Sequence, residues 1–204
     1  MSTVARDDGF GGMLKLGFTL AVFAAAACVM LAFVYTGTER IIAMRQQADL
    51  EATLKELFPE ADSFTDISGT IASPDPSVTF EGEYEVRKDG VLIGAALRCS
   101  RASYGGQIKV LAGINAGGTV SGVKILEHSD TPGLGANAAA ANYFVDRAAG
   151  LTFYGQFAGK SVSDPFEVKE DVIAITASTI TSRAVAIAVK AAGDAAFVYL
   201  GGAQ

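Results

Sequence analysis

The chain has 204 residues, 50% hydrophobic and 19% charged, and its 16 Lys and Arg against 22 Asp and Glu leave a net charge of −6. That balance excludes a nucleic-acid partner held by phosphate neutralisation. Cys28, Cys99 and His128 are solitary and far apart, which excludes zinc, haem and iron–sulfur sites, because each needs several Cys or His ligands at close spacing. A redox role would have to use an organic cofactor.

Residues 1–12 read as a short N-terminal arm and 13–38 as a transmembrane helix. From Leu16 to Thr38 no residue is charged, a run of 23 positions. At 1.5 Å per residue the run spans roughly 34 Å, enough for a hydrocarbon core of about 30 Å. Basic residues flank it almost evenly, with Arg6 and Lys15 before and Arg40 and Arg45 after, so the orientation rests on the layout of a signal anchor, with a short arm inside and a long domain exported. A cleaved signal peptide is the rival reading, but its apolar region is normally about 7–15 residues. Ala25–Cys28 is faintly similar to a lipoprotein cleavage site, yet Val29, Met30, Leu31 and Phe33 continue the apolar stretch.

Residues 39–75 read as a juxtamembrane helix and linker, and 76–204 as one exported domain. Leu50, Leu54, Leu57 and Phe58 form a helical stripe that Pro59 stops. Ser73-Pro74-Asp75-Pro76 is a turn. β-favouring runs follow at Tyr84–Arg87, Val91–Leu97, Gln107–Ile114 and Thr119–Leu126, broken at Asp89-Gly90, Tyr104-Gly105-Gly106 and Ala116-Gly117-Gly118. The expectation is an antiparallel meander. Asn137–Ala149 reads as an Ala-rich helix, and Ser182–Tyr199 as a closing helix with Val185, Ala188, Val189, Ala192, Ala195, Ala196 and Tyr199 on one side and Arg183, Lys190 and Asp194 on the other. The fold class is α+β.

Two segments can carry chemistry. Five hydroxyls occupy seven positions in Thr176-Ala177-Ser178-Thr179-Ile180-Thr181-Ser182. They read either as generous capping of a helix start or as a phosphate site built on its free amides. His128-Ser129-Asp130-Thr131-Pro132-Gly133-Leu134-Gly135 is either a plain connector or a tight loop whose backbone can approach a flat ligand. His128 alone supports no catalytic triad.

Tyr104-Gly105-Gly106-Gln107-Ile108, Gly113, the His128–Gly135 loop and Thr176–Ser182, in this order, resemble the FMN-binding domain family. With the anchor and Leu54-Lys55-Glu56-Leu57-Phe58-Pro59 after it, the chain is most similar to G subunits of the Rnf electron-transport complex. C subunits of the sodium-pumping NADH:quinone oxidoreductase are the alternative. The resemblance implies FMN joined by a phosphoester to the threonine that ends a Ser/Thr-Gly-Ala-Thr pattern, here Thr179, by a separate flavin transferase that takes FAD as donor. Thr176, Ser178, Thr181 and Ser182 on the same turn, and Thr131, Pro132, Gly133, Leu134 and Gly135 in the loop, become candidate cofactor contacts. Arg183 is a possible counter-ion for the phosphate.

Ala177 stands where the family usually has Gly, Ser178 where it has Ala, Ile173 where an Asp is common, and Asp130 where a Glu is usual. Asp171 lies two positions too early to replace that missing Asp. The resemblance further implies an electron carrier in the inner membrane, its C-terminal domain on the extracytoplasmic side. It would be a subunit of a ferredoxin:NAD translocase rather than an enzyme alone, and its partners would be the other Rnf subunits. A flavin-binding sensor module and a purely structural anchored subunit are the competing functions.

Overall fold

The computed structural model describes residues 9–202, so most of the N-terminal arm lies outside the described residues. The chain forms two compact units, Met1–Leu50 and Glu51–Gln204. Helix α1, Gly9–Leu57, supplies the first and ends in the second. It is long and apolar enough to cross a membrane. It also runs unbroken through residue 38, where the hydropathy pattern alone would end it. The reason is local: Glu39–Leu57 is made largely of good helix formers. The Thr36 and Thr38 hydroxyls fold back onto the carbonyls of Ala32 and Val34, at 3.0 and 2.9 Å, instead of competing with the helix. Pro59 disfavours helical geometry at Phe58, and the helix stops one residue earlier.

The second unit is an α+β domain built on an antiparallel five-stranded meander, β1 Ser63–Asp66, β2 Val78–Lys88, β3 Val91–Ala102, β4 Gln107–Asn115 and β5 Val120–Glu127, in sequential order. The four expected strands are present; the first three are longer, and the fourth keeps its length, shifted by one residue. Strand β1 is an addition inside the expected linker. Its Ser-Phe-Thr-Asp carries no apolar alternation, and its register on β2, Ser63 opposite Arg87 and Asp66 opposite Tyr84, shows only in backbone pairing. Asp89 and Gly90, both with positive φ (50° and 79°), close the β2–β3 hairpin, the conformation that Asp-Gly favours.

Helix α2, Thr179–Gly202, lies across one face of β3 and β4. Its Val185, Ala188, Val189, Ala192 and Ala196 are fully buried against Ala95, Leu97, Cys99, Val110, Ala112 and Ile114. Ala184, Ala186 and Ala191 on its other sides are buried as well. The 151–175 segment covers them, placing Phe153, Phe157, Val162, Phe166, Val172 and Ile175 in the same core. Small residues permit this double coverage: a Cβ on Gly193 would stand 3.2 Å from Val162 Cγ1. Burial pushes the Cys99 thiol well above its ordinary pKa, with the Glu81 and Glu83 charges adding to the effect, so it is a core residue and no nucleophile.

The expected helix at 137–149 does not form. A 3-10 turn, Gly135–Ala138, is followed by the short pair β6 Phe144–Asp146 and β7 Leu151–Thr152. Ala propensity is overridden by side-chain bonds to the backbone: Asn137 Nδ2 donates to the Gly133 carbonyl at 3.0 Å, and Asp146 Oδ1 accepts from the amides of Ala148 and Ala149. Tyr143 and Val145 pack against the core, which fixes the extended geometry.

The other sheet face carries a smaller apolar layer. Gly94, Gly113 and Gly122 on β3, β4 and β5 leave a shallow floor on which Leu57 and Phe58 sit. A Cβ on Gly113 would lie 2.8 Å from Phe58 Cε2, and one on Gly122 2.8 Å from Leu57 Cδ2. Leu54 and Phe58 are buried, and Lys124 bonds Glu56 at 2.9 Å beside them. Gly113→Val should therefore lower stability by about 1–3 kcal/mol through overpacking. Chemical denaturation of the solubilised chain reads the loss, and Phe58→Ala in the same background should recover part of it.

Candidate functional site

The loop after β5 and the start of α2 meet the β3–β4 turn, and together they enclose a cavity of ≈ 440 Å³. Tyr104, Asp130, Thr131, Leu134, Gly135, Ala177, Ser178, Thr179, Ile180 and Thr181 line it. Of the residues expected to contact a cofactor, Thr131, Leu134, Gly135, Ser178, Thr179 and Thr181 are brought to this wall. Pro132, Gly133, Thr176 and Ser182 are not. Arg183, one turn beyond Thr179, lines a different cavity of ≈ 500 Å³, alongside Phe166, Glu167 and Lys190, and is not placed as a counter-ion to Thr179.

Asp130 organises the junction. The residue is 6% exposed; its Oδ1 accepts from the Gly105 amide at 2.6 Å and Oδ2 from the Ser103 hydroxyl at 2.8 Å. The Ser103 hydroxyl also lies 3.3 Å from Thr181 Oγ1. One carboxylate thus ties the β3–β4 turn, its own loop and the first turn of α2. Two glycines permit the approach. A Cβ on Gly105 would fall 2.3 Å from the Ser129 carbonyl, and one on Gly135 would fall 2.6 Å from Thr181 Oγ1 and 2.7 Å from Asp130 Cβ.

The hydroxyl cluster divides by burial. Ser182 is fully buried, accepts from the Ile175 amide at 2.9 Å and donates to the Ser178 carbonyl at 2.9 Å. Thr181 is 1% exposed and Ser178 7%. The Ser178 carbonyl accepts the first helical bond, from the Ser182 amide, so Thr179 opens the helix where the backbone amides have no intrahelical acceptor. Among the described residues neither the Ser178 nor the Thr179 hydroxyl caps those amides. Thr176 is exposed but outside the cavity, its amide 3.4 Å from the Tyr143 hydroxyl. Of the five hydroxyls, Thr179 alone is both exposed and in the cavity wall.

The residue two before Thr179 explains a local cost. Ala177 has φ 61°, left-handed geometry that costs a residue with a Cβ about 1–2 kcal/mol. The conformation lets the chain turn sharply, with the Ser178 amide bonded to the Ile175 carbonyl at 3.0 Å, before the helix begins. A glycine would adopt it without penalty.

Asp171 does not reach this turn. It accepts from Lys160 Nζ at 3.0 Å and from the amides of Phe166 and Glu167, and so closes the 160–171 loop. Burial works to raise its pKa, but the Lys160 bond and charge and these amides outweigh it and hold the carboxyl below its usual range. Position 173 is an exposed Ile whose amide is bonded to the Gln156 side chain at 2.7 Å, and no carboxylate takes its place.

Tyr104, Ile180 and Asp130 belong to the site without having been singled out as contacts. Tyr104 and Ile180 are 74% and 59% exposed. An aromatic at the tip of a Gly-Gly turn and an Ile amid hydroxyls at a helix start were the available signals. Apolar rims at Tyr104, Leu134 and Ile180, a close-approach glycine and an exposed hydroxyl at a helix start suit a planar ring with a phosphate tail. The volume lies in the ~300–1,000 Å³ range of small-molecule sites. No group of three or more His, Cys, Asp or Glu is arranged to hold a metal ion among the described residues.

Comparison with known proteins identifies the family. Residues 103–194 match the FMN-binding domain family, and residues 12–57 match the RnfG N-terminal region. The G subunit of an ion-translocating oxidoreductase complex from Methanosarcina acetivorans is 30% identical over 183 residues, covering 88% of this chain and 92% of the relative. The G subunit of the Na(+)-translocating ferredoxin:NAD(+) oxidoreductase complex of Acetobacterium woodii is 31% identical over 191 residues, 85% of this chain and 86% of the relative. Its counterpart in the proton-translocating ferredoxin:NAD(+) oxidoreductase complex of Clostridium ljungdahlii is 27% identical over 204 residues, 98% and 100% of the two chains.

The strained turn and the closed loop each make a measurable difference to stability. Ala177→Gly should raise stability by about 1 kcal/mol, since the gain in backbone fit exceeds the entropy of the freer unfolded chain; thermal unfolding reads it as a shift of about 2–4 °C. Asp171, with a lowered folded pKa, stabilises the domain above its unfolded pKa of about 3.9 and loses that contribution as pH falls through the folded value. Asp171→Asn should thus be less stable than the parent at pH 7, with the gap closing below about pH 4 in denaturation curves taken against pH.

Proposed function

The chain belongs to the G-subunit family of ion-translocating oxidoreductase complexes, and we propose that it serves as an electron-carrying subunit whose FMN is held in the cavity by a phosphoester on Thr179. The observation that carries this reading is the sorting of the hydroxyls: Thr181 and Ser182 are buried and already hydrogen-bonded, while Thr179 is exposed at the cavity wall. A phosphate there meets the positive end of α2, where free amides and the helix dipole favour negative charge.

When bound, the flavin supplies stepwise electron transfer through a ring that a phosphate linkage leaves chemically unaltered. The chain's own residues bind and orient it. Thr179 fixes the phosphate end, Gly135 lets the loop come close, and Tyr104, Leu134 and Ile180 offer apolar surface to a ring and exclude water from it. Covalent attachment also suits an extracytoplasmic domain, which cannot refill its site from a cytoplasmic FMN pool. A flavin transferase using FAD would install the group.

The relatives from Acetobacterium woodii and Clostridium ljungdahlii are named for ion-translocating ferredoxin:NAD(+) oxidoreduction, and the same complex chemistry is proposed here. Between Leu16 and Thr38 no charged side chain is present to form an ion path. We accordingly assign the ion route to partner subunits, α1 to the membrane anchor and, on the layout of a signal anchor, the C-terminal domain to the extracytoplasmic side.

Co-expression with a flavin transferase, followed by a denaturing gel under ultraviolet light, tests the linkage. The parent band should fluoresce, Thr179→Ala should be dark, and Thr181→Ala should remain fluorescent. Fluorescence retained in Thr179→Ala would reject the assignment.

A further inference from the structure

Among the described residues Asp130 is the only charged one in the cavity wall, and it is buried. No Lys, Arg or His among them lies within ion-pair distance of it. Its partners are neutral donors, the Gly105 amide and the Ser103 hydroxyl. Such bonds hold a carboxylate in place and disperse its charge, but they do not cancel it as a cation would. The cavity otherwise presents Tyr104, Leu134, Ile180, glycine, alanine and hydroxyls. The field of one carboxylate is therefore weakly screened across it.

We propose that Asp130 is a potential-setting and positioning residue for the flavin, its fixed negative charge lowering the midpoint potential while its two hydrogen bonds hold the cavity walls together. This rests on the reading that FMN occupies the cavity. Reduction adds electrons, and hence negative charge, to the ring. A neighbouring carboxylate opposes that addition, so the oxidised form is favoured and the potential falls. The brace through Ser103 to Thr181 keeps the carboxylate and the attachment turn at a fixed separation. Gly105 and Gly135 are the residues that let the shorter Asp side chain reach both walls.

The test is a spectroelectrochemical or dithionite titration of full-length flavinylated protein, following flavin absorbance against potential. Asp130→Asn keeps the shape and can still accept from Gly105, so its potential should rise above the parent's. Asp130→Glu restores the charge and should return the potential toward the parent value. Ser103→Ala removes a donor that disperses the charge and should shift the potential downward, opposite to Asp130→Asn. A merely structural brace would move both variants the same way, and that result overturns the proposal. So does an Asp130→Asn protein that carries flavin at the parent potential. Should Asp130→Asn not load flavin, the sign of the Ser103→Ala shift decides. A parent chain matured with the transferase that holds no flavin overturns the occupancy reading itself, and this inference with it.

Discussion

The Asp130 carboxylate is the point at which three distant stretches of chain become one site. Its bonds to the Ser103 hydroxyl and the Gly105 amide cross 25 or more residues, and the contact of Ser103 with Thr181 crosses 78. Without it, the 128–135 loop would lose its bonds to the Ser103 hydroxyl and the Gly105 amide, and the β3–β4 turn would keep only the longer Ser103–Thr181 contact with the start of α2. The interaction is possible because glycine occupies both places where a side chain would separate these segments. A buried carboxylate is costly to hold, and here its bonds to the Ser103 hydroxyl and the Gly105 amide offset part of that cost.

The remainder of the domain serves to present the first turn of α2. The helix is buried on nearly every side by alanines and valines, between the sheet and the 151–175 segment, so its N-terminus cannot drift. Ser182 ties that terminus to Ile175, and the left-handed Ala177 bends the approach. The result is a hydroxyl held at the open amide end of a rigid helix. That arrangement suits an esterified phosphate better than one held by contacts alone, because the mobile part of the ligand begins only beyond the linkage.

Legibility in the sequence varied with the kind of signal. The meander strands were readable because apolar runs alternate with Gly-rich breaks, and α2 because its 3.6-residue stripe is long. Strand β1 was not, since its polar residues take their conformation from β2. The Ala-rich 137–149 segment misled because propensity yielded to Asn137 and Asp146 bonding the backbone. In the site, the hydroxyl run and the 131–135 loop were visible as composition, but their convergence was not. Composition left open whether the hydroxyls capped the helix or faced a ligand. Burial, which no local pattern encodes, sorted Thr179 from Thr181 and Ser182. The place of Arg183 in another cavity likewise depends on side-chain direction rather than helical spacing.

The proposed phosphoester on Thr179 is the claim on which the electron-carrier reading turns. Mass analysis of proteolytic peptides from the chain matured in its own host gives the most direct answer. The peptide spanning Thr176–Arg183 should carry the mass of FMN less one water, with fragmentation placing it on Thr179. An unmodified peptide in quantitative yield, or an adduct located on Thr181 or Ser182, would contradict it.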